Sequence, residues 1–364
     1  MAEAMDNKPL LPTVTTKAPS TDVCKLVHEH HGNKSKVHPL ILVVLTGAIT
    51  LVVLILTNNN HFAQKGYSEP IPSSRNGSAS FPILFDLLTI EQTGFADTRI
   101  QVTTGTGSQA TVFYSISATD TSALNETTVT ASFNEINARL GVQVISTRKP
   151  YYEGKLTVVV ELFVPQVLLN GIFNGDKLEI SYDGPNIASS FSAFITTGSI
   201  HTYSTLETGT VQASISQGSV AFNKIVAAKS LNIKLTNGNV FIHNAVTEKA
   251  FLGVDKGKIL ASISGYFKLG VSTNTGDIDL TLEPGVKNST NSIKSQSGIV
   301  NAVVSNFKGE FFVQSNMRPP KVHGATQMET PTFGKFIGFV GDGYSEHALL
   351  WAITEFGFIF LNFV

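Results

Sequence analysis

The chain has 364 residues, with 26 basic and 27 acidic side chains and a formal net charge of −1 at pH 7. Only 15% of its residues are charged, so the chain is apolar for a purely soluble protein. Its length is sufficient for two domains. Without a basic excess it lacks the electrostatic footprint of a nucleic-acid-binding protein. The one cysteine, Cys24, lies in the N-terminal tail. An exported domain would therefore have no disulfide and would depend on its hydrophobic core.

Residues 1–36 are polar and show neither the helical nor the strand period of apolar residues, which predicts a disordered cytosolic tail. Within it, Asp6 stands four residues before the pair Leu10 and Leu11. This spacing resembles the acidic dileucine sorting signal of cytosolic tails, although so short a pattern also arises by chance.

Residues 37–57 contain the apolar run Leu40–Leu56, which is long enough to cross a bilayer as a transmembrane helix. A cleaved signal peptide is the alternative, but a long polar tail precedes the run and no small-residue cleavage site follows. The flanking lysines are more numerous on the N-terminal side, which favours a cytosolic N-terminus. We therefore expect a single-pass protein in the plasma membrane or an endosomal or vacuolar membrane, with the rest of the chain extracellular or luminal.

Residues 58–80 are rich in Asn, Ser, Pro and Gly and are expected to form a flexible stalk. Three N-x-[ST] sequons follow the apolar run, at Asn76, Asn125 and Asn288, where a glycan could be attached. A fourth, at Asn33, precedes the run and should stay unmodified in the cytosol.

Residues 81–190 contain short alternating or apolar runs separated by turn residues such as Asn170-Gly171 and Asp183-Gly184-Pro185. No segment has a convincing helical period. The exported part is therefore predicted to be all-β.

Residues 191–364 contain a repeat in which a polar residue and a glycine separate two short apolar strands. The glycines are Gly198, Gly218, Gly238, Gly257, Gly276 and Gly298. They recur at intervals of roughly 20 residues, a period that indicates stacked coils of a β-solenoid-like fold. Apolar residues stand two positions after each glycine, and polar residues one position after several of them, as on the two faces of a strand. An antiparallel meander or β-sandwich is the alternative, which the extra Gly209 supports.

The C-terminal run 348–364 is apolar and allows three interpretations. It could be a second membrane span, the tail of a lipid-anchor signal, or a strand that closes the stack. Gly357 is followed by alternating apolar residues, as Gly276 is, and its separation from Gly298 is close to three repeats. These observations favour the closing strand.

No motif predicts a catalytic, cofactor or metal site. The exported part has no cysteine, no G-x-S-x-G and no H-E-x-x-H. Asp277 and Asp279 lie on one side of a predicted strand and could act as paired carboxylates, as in polysaccharide-cleaving β-helices. Neighbouring coils have no second pair at the equivalent positions, which favours a solvated face.

The repeating unit, seen as IKLTNGNVFI, GVDKGKILASI and VSTNTGDIDLTL, resembles the "putative adhesin" domain of bacteria and fungi. The combination of a short tail, one anchor and this domain looks like that of fungal membrane proteins. The resemblance implies a right-handed β-stack without a known catalytic residue. It favours a non-catalytic, membrane-anchored protein that contacts cell-wall or surface polymers or proteins. A polysaccharide-acting enzyme and a structural or trafficking protein of the endomembrane system are the alternatives; the oligomeric state stays open.

Overall fold

A computed structural model of the chain describes residues 73–82, 85–151, 154–165, 167–285, 288–329, 334–341 and 348–364. The described strands are, in chain order, β1 (Ser73–Pro82), β2 (Leu87–Gly94), β3 (Asp97–Thr104), β4 (Gln109–Ala118), β5 (Thr127–Asn134), β6 (Arg139–Ser146), β7 (Leu156–Val164), β8 (Leu168–Asp183), β9 (Ile187–Thr247), β10 (Lys249–Lys256), β11 (Ile259–Tyr266), β12 (Lys268–Thr275), β13 (Ile278–Pro284), β14 (Thr290–Val304), β15 (Gly309–Ser315), β16 (Lys321–His323), β17 (Gln327–Met328), β18 (Lys335–Val340) and β19 (Ala348–Phe363). One short helix, α1 (Thr121–Asn125), lies between β4 and β5.

The repeat region is a stack of coils that pair in parallel. The repeat glycines Gly198, Gly218, Gly238, Gly257, Gly276 and Gly298 are here called the ladder glycines. In each coil, the strand before the ladder glycine is called the first limb and the strand after it the second limb. Each limb pairs with the same limb of the next coil. Ala250 of β10 is in register with Leu231 of β9, one glycine interval earlier, and Ile278 of β13 with Val300 of β14, one interval later. Because the register follows the glycine spacing, the structure is β-solenoid-like and the antiparallel alternative is wrong for this region.

The apolar residues two positions after each ladder glycine form one buried row. Ile200, Val220, Val240, Ile259, Ile278 and Val300 are all 0% exposed. Because the coils are in register, each of these side chains packs on its equivalent above and below, and the core is continuous along the stack. Gly209 differs from the ladder glycines because its φ is not positive, although a Cβ on it would lie 2.7 Å from the carbonyl oxygen of Ser189.

The stack begins before the boundary predicted at residues 190 and 191. β2 and β3 pair in parallel with the two halves of β8, and β8 continues the same register into β9. On their other side β2 and β3 pair with β6 and β7. The N-terminal β region and the repeat region therefore share one stack.

The first described strand differs from the sequence-based expectation of a stalk. β1 covers the last third of the predicted stalk, residues 58–80, and pairs antiparallel with β4 along its whole length. Most of its polar residues are exposed, while Gly77, Ala79 and Phe81 at alternate positions are half-buried, so a strand at the edge of a sheet has the composition of a linker.

The C-terminal run forms β19, a strand within the stack. Of the three interpretations of this run, the structure agrees with the strand and differs from the membrane span and the anchor tail. However, β19 does not close the stack. It lies between β14 on one side and β15 and β16 on the other, and β18 pairs antiparallel with β15 beyond it. The chain between β14 and β19 makes the detour that adds these outer strands. Gly357 therefore follows Gly298 in space although it stands almost three repeats later in the chain.

Among the residues that the structure describes, no helix has the length and hydropathy needed to span a membrane. The predicted tail (1–36), transmembrane segment (37–57) and first part of the stalk (58–72) lie outside the described residues. Asp6, Leu10 and Leu11 belong to that part of the chain.

Candidate functional site

The ladder glycines form the corner between the two limbs of each coil. Gly198, Gly218, Gly238, Gly257, Gly276 and Gly298 have φ values between 139° and 149°, a region that L side chains rarely adopt. A Cβ built on Gly238 would lie 1.5 Å from the carbonyl oxygen of Gly218. Gly357 is in register with Gly298 and has the same contact with its carbonyl oxygen, at 1.7 Å. The glycines therefore serve coil-to-coil contact and leave no room for a ligand.

The polar residues next to the glycines connect neighbouring coils. Asn239 accepts a hydrogen bond at its Oδ1 from the backbone N–H of Lys258, at 2.8 Å. Asp277 does the same for the N–H of Ile299, at 2.9 Å. The sequence pattern placed these side chains on the solvated face, and the structure adds a role for them in the coil corner that the pattern does not show.

The carboxylates of Asp277 and Asp279 both contact neighbouring coils. Asp277 accepts the hydrogen bond from Ile299 of the next coil. Asp279 forms an ion pair with Lys258 of the preceding coil, with 2.5 Å between Oδ2 and Nζ. The hydrogen bond that Lys258 donates to Asp279 raises the pKa of the Lys258 ammonium, partly opposed by desolvation. Neither carboxylate has the unpaired environment that would make it a general acid.

The best candidate site is a groove on the surface formed by the first limbs. Four residues of consecutive coils line one row of this first-limb groove: Lys234 is in register with Gly253, Gly253 with Ser272, and Ser272 with Lys294. The groove has a volume of about 400 Å³. It crosses four strands, so a ligand inside it would contact four coils at once.

Small residues form the floor of the first-limb groove. A Cβ added to Gly253 would meet only the Ser272 Oγ, at 3.7 Å, so the space above this glycine is open. In the adjacent row Phe251 is in register with Gly270, and a Cβ on Gly270 would be 2.9 Å from the ring. The Phe251 ring therefore lies over Gly270, and it is 37% exposed. An apolar ring at the edge of a polar groove is thus available to a ligand.

Sequence reasoning missed this groove, although the two lysines that line it, Lys234 and Lys294, and two on the surface beside it, Lys249 and Lys268, form a readable pattern. Lys234 and Lys294 each stand four residues before a ladder glycine, and Lys249 and Lys268 each stand eight residues before one. Residues at equal distances from the ladder glycines lie in the same row of the stack. Lysines at the same distance from successive ladder glycines therefore predict a charged row on the stack. The net charge of the whole chain does not show this row, because acidic residues elsewhere cancel it.

No group of three or more His, Cys, Asp or Glu side chains that could hold a metal ion occurs in the described part of the chain. The groove offers instead ammonium groups, amides, hydroxyls, one exposed ring and one carboxylate, that of Asp255. This set can bind a polar or anionic polymer, but it provides no nucleophile paired with a base.

The family model described as Toastrack DUF4097 matches residues 88–317, more than half of the chain. The chain belongs to this family. The Toastrack match covers strands β2 to β15 and therefore includes the coils that carry the groove. No curated protein matches the chain.

Three solved structures are similar to the Toastrack chain, and each is named "putative adhesin". The protein from Bacteroides fragilis is 12% identical, covers 80% of this chain and 98% of its own, and has a TM-score of 0.36. The proteins from Parabacteroides merdae and Parabacteroides distasonis are 9% and 8% identical. Each match covers 81% of this chain. The matches also cover 97% of the Parabacteroides merdae chain and 98% of the Parabacteroides distasonis chain, with TM-scores of 0.39 and 0.35, respectively.

The three sequon asparagines of the Toastrack chain are exposed. Asn76 lies in β1, Asn125 is the last residue of α1, and Asn288 precedes β14. All three are away from the buried core. Each position could carry a glycan without unfolding the strand or helix beside it.

Proposed function

We propose that this Toastrack protein is a non-catalytic, membrane-anchored protein whose β-stack is extracellular or luminal and binds other molecules as an adhesin does. The observation that carries the proposal is the first-limb groove, in which Lys234, Gly253, Ser272 and Lys294 stand in register on four coils. A site built from one repeated position suits a partner that itself repeats, such as a cell-wall or surface polymer.

The contacts of the carboxylate pair support binding over hydrolysis. A glycoside-cleaving site needs one carboxyl group that holds a proton and a second that attacks or activates water. Asp279 is instead paired with Lys258, and Asp277 accepts a backbone hydrogen bond from Ile299. Both side chains are therefore engaged in contacts between coils.

Membrane anchoring rests on the apolar segment 37–57 and on the lysines that precede it. An anchored domain is present in many copies on one surface. Weak contacts by each copy then add up, and avidity can exceed the affinity of a single copy by about 10² to 10⁴. A shallow groove without a deep pocket is sufficient under this condition.

The test uses cells that display the full chain, exposed to purified wall and surface polymers. Gly253→Gln should fill the groove, because the space above Gly253 is open and its φ is not positive. Gly107→Gln is the matched control, since Gly107 is exposed and equally open but lies in the turn between β3 and β4.

Polymer retention that falls with Gly253→Gln and persists with Gly107→Gln would support a binding domain. Release of soluble sugar that disappears in an Asp277→Asn, Asp279→Asn double variant would replace the proposal with an enzyme. Failure to retain any polymer or any second cell surface would also overturn it.

A further inference from the structure

The surface around the first-limb groove is cationic in a chain whose net charge is −1. In the first-limb segments 230–236, 249–255, 268–274 and 290–296, four outward positions are lysines: Lys234, Lys249, Lys268 and Lys294. Within these segments, all of which the structure describes, the one acidic side chain is Asp255. Asp255 accepts a hydrogen bond from the neutral amide of Asn274 at 3.3 Å and keeps its charge, so four lysines against one carboxylate leave these segments with a net charge of +3.

Two of these lysines are placed where their charges repel each other. Lys249 and Lys268 are in register on neighbouring parallel strands. Like charges directly opposite each other destabilise a sheet. Their ammonium groups lie 5.3 Å and 5.7 Å from the ring centroids of Phe267 and Phe251, respectively. Among the described residues, no carboxylate lies within ion-pair distance of any of the four lysines.

The second limbs of the same coils carry the opposite balance. Asp277 and Asp279 face outward there together with Lys258, whose charge Asp279 already neutralises. The cationic character is therefore confined to the face that holds the groove. A repulsive lysine pair is stabilised when an anion lies between the two ammonium groups, so lysines without a carboxylate partner point to an anionic ligand.

Resting on the proposed function, we infer that the first-limb groove binds an anionic polysaccharide whose chain runs along the stack across the coils. Carboxylate or sulfate groups would meet the lysines. Adjacent strands lie about 4.8 Å apart. Lys249 and Lys268 are thus one step of about 5 Å apart, and Lys234 and Lys294 three steps, about 14 Å. These spacings suit charges that recur along a polymer.

The remaining lining favours a sugar chain over the other polyanions. Asn232 and Ser292 offer amide and hydroxyl groups in the row of Phe251, and the exposed Phe251 ring can pack on the apolar face of a sugar. The sequence contains no arginine between Arg148 and Arg318. The groove therefore lacks the forked guanidinium groups that phosphates and nucleic acids most often meet. It is also concave, whereas a lipid surface needs a flat or protruding face.

The experiment measures retention of soluble polymers on cells that display the full chain. Dextran sulfate and unmodified dextran share one backbone and differ in charge, and polygalacturonate tests carboxylates in place of sulfates. Both anionic polymers should bind and unmodified dextran should not. Retention should weaken with added salt, because exposed charges are screened. The variant Lys234→Gln, Lys294→Gln should weaken binding about tenfold, as expected when charged hydrogen bonds are lost.

The control Lys155→Gln, Lys224→Gln removes the same charge at exposed positions outside the first-limb segments and should leave binding unchanged. An equal loss of polymer retention in both double variants would show that the net charge alone causes binding, and it would overturn the inference. Equal retention of dextran and dextran sulfate would overturn the ligand class while leaving a binding domain intact. Retention of vesicles rich in anionic phospholipid, without retention of either anionic polysaccharide, would replace the sugar chain with a membrane surface. Absence of all retention would remove the proposed function as well.

Discussion

Gly238 lies so close to the carbonyl oxygen of Gly218 that a Cβ atom on Gly238 would be 1.5 Å from that oxygen. Its φ of 144° is also unfavourable for an L side chain. The same contact recurs between successive coils, since a Cβ atom on Gly257 would be 1.7 Å from the Gly238 carbonyl oxygen. The distance between coils at this corner is therefore set by the absence of a side chain.

Replacing Gly238 by Ala should destabilise the fold by about 1 to 3 kcal/mol from backbone strain alone, with the contact to Gly218 adding to that cost. Gly253→Ala is the control, because its Cβ would meet only the Ser272 Oγ at 3.7 Å. We expect that change to stay within about 0.5 kcal/mol. Denaturant unfolding of the full chain measures both, and equal stability of the two variants would contradict the role of the corner.

The Asn239 side chain should contribute to stability through the next coil. Its Oδ1 accepts the backbone N–H of Lys258, which loses this partner in Asn239→Ala. A hydrogen bond of this kind contributes about 0.5 to 1.5 kcal/mol. Asn301→Ala, at an exposed position on a second limb, should be nearly neutral. Thermal melting of the two variants compares them; a neutral Asn239→Ala would show that water replaces the side chain.

The coil and its core could be read from the sequence because they depend on local features. A glycine once per repeat marks the corner, and the alternation after it marks the buried face, as Val240 and Ile259 show. The long-range pairing could not. Leu87 is in register with Arg139 and with Asn170, at separations that no repeat predicts, because antiparallel strands such as β5 are inserted between successive coils.

The position of β19 was likewise hidden by an insertion. The resemblance of Gly357 to the ladder glycines is correct, since it is in register with Gly298, but the separation of nearly three repeats suggested a strand that closes the stack. The chain between β14 and β19 instead adds β15 to β18 beyond β19. A detour and a series of coils can have the same length, so spacing alone does not distinguish them.

Two buried tyrosines differ in the partner of the hydroxyl group. Tyr182 donates to the Pro185 carbonyl oxygen at 2.5 Å, whereas the Tyr266 hydroxyl has no partner among the residues that the structure describes. Tyr182→Phe should therefore cost about 0.5 to 1.5 kcal/mol, and Tyr266→Phe should be neutral or stabilising. Urea unfolding at neutral pH measures both; a larger loss in Tyr266→Phe would indicate a partner for its hydroxyl.

The same tyrosines should limit stability at alkaline pH. Burial raises the pKa of both phenols above the ordinary value of about 10, because it disfavours the charged form. A group whose folded-state pKa is raised contributes stability that is fully present below its unfolded pKa and is lost as the pH rises above it. The free energy of unfolding should fall above about pH 10. The Tyr182→Phe, Tyr266→Phe double variant should show a smaller fall, and an unchanged slope would mean that other groups cause it.

Glycosylation should report the orientation of the chain in its membrane. A sequon is modified only in the secretory lumen, and the exposed positions of Asn76, Asn125 and Asn288 are accessible there. With the N-terminus in the cytosol, endoglycosidase treatment of the chain from a eukaryotic host should lower its apparent mass. Changing all three to Gln should abolish the shift, whereas Asn33→Gln should leave it intact. A shift that only Asn33→Gln removes would reverse the orientation, and the absence of any shift in the unmodified chain would contradict exposure of the β-stack to the lumen.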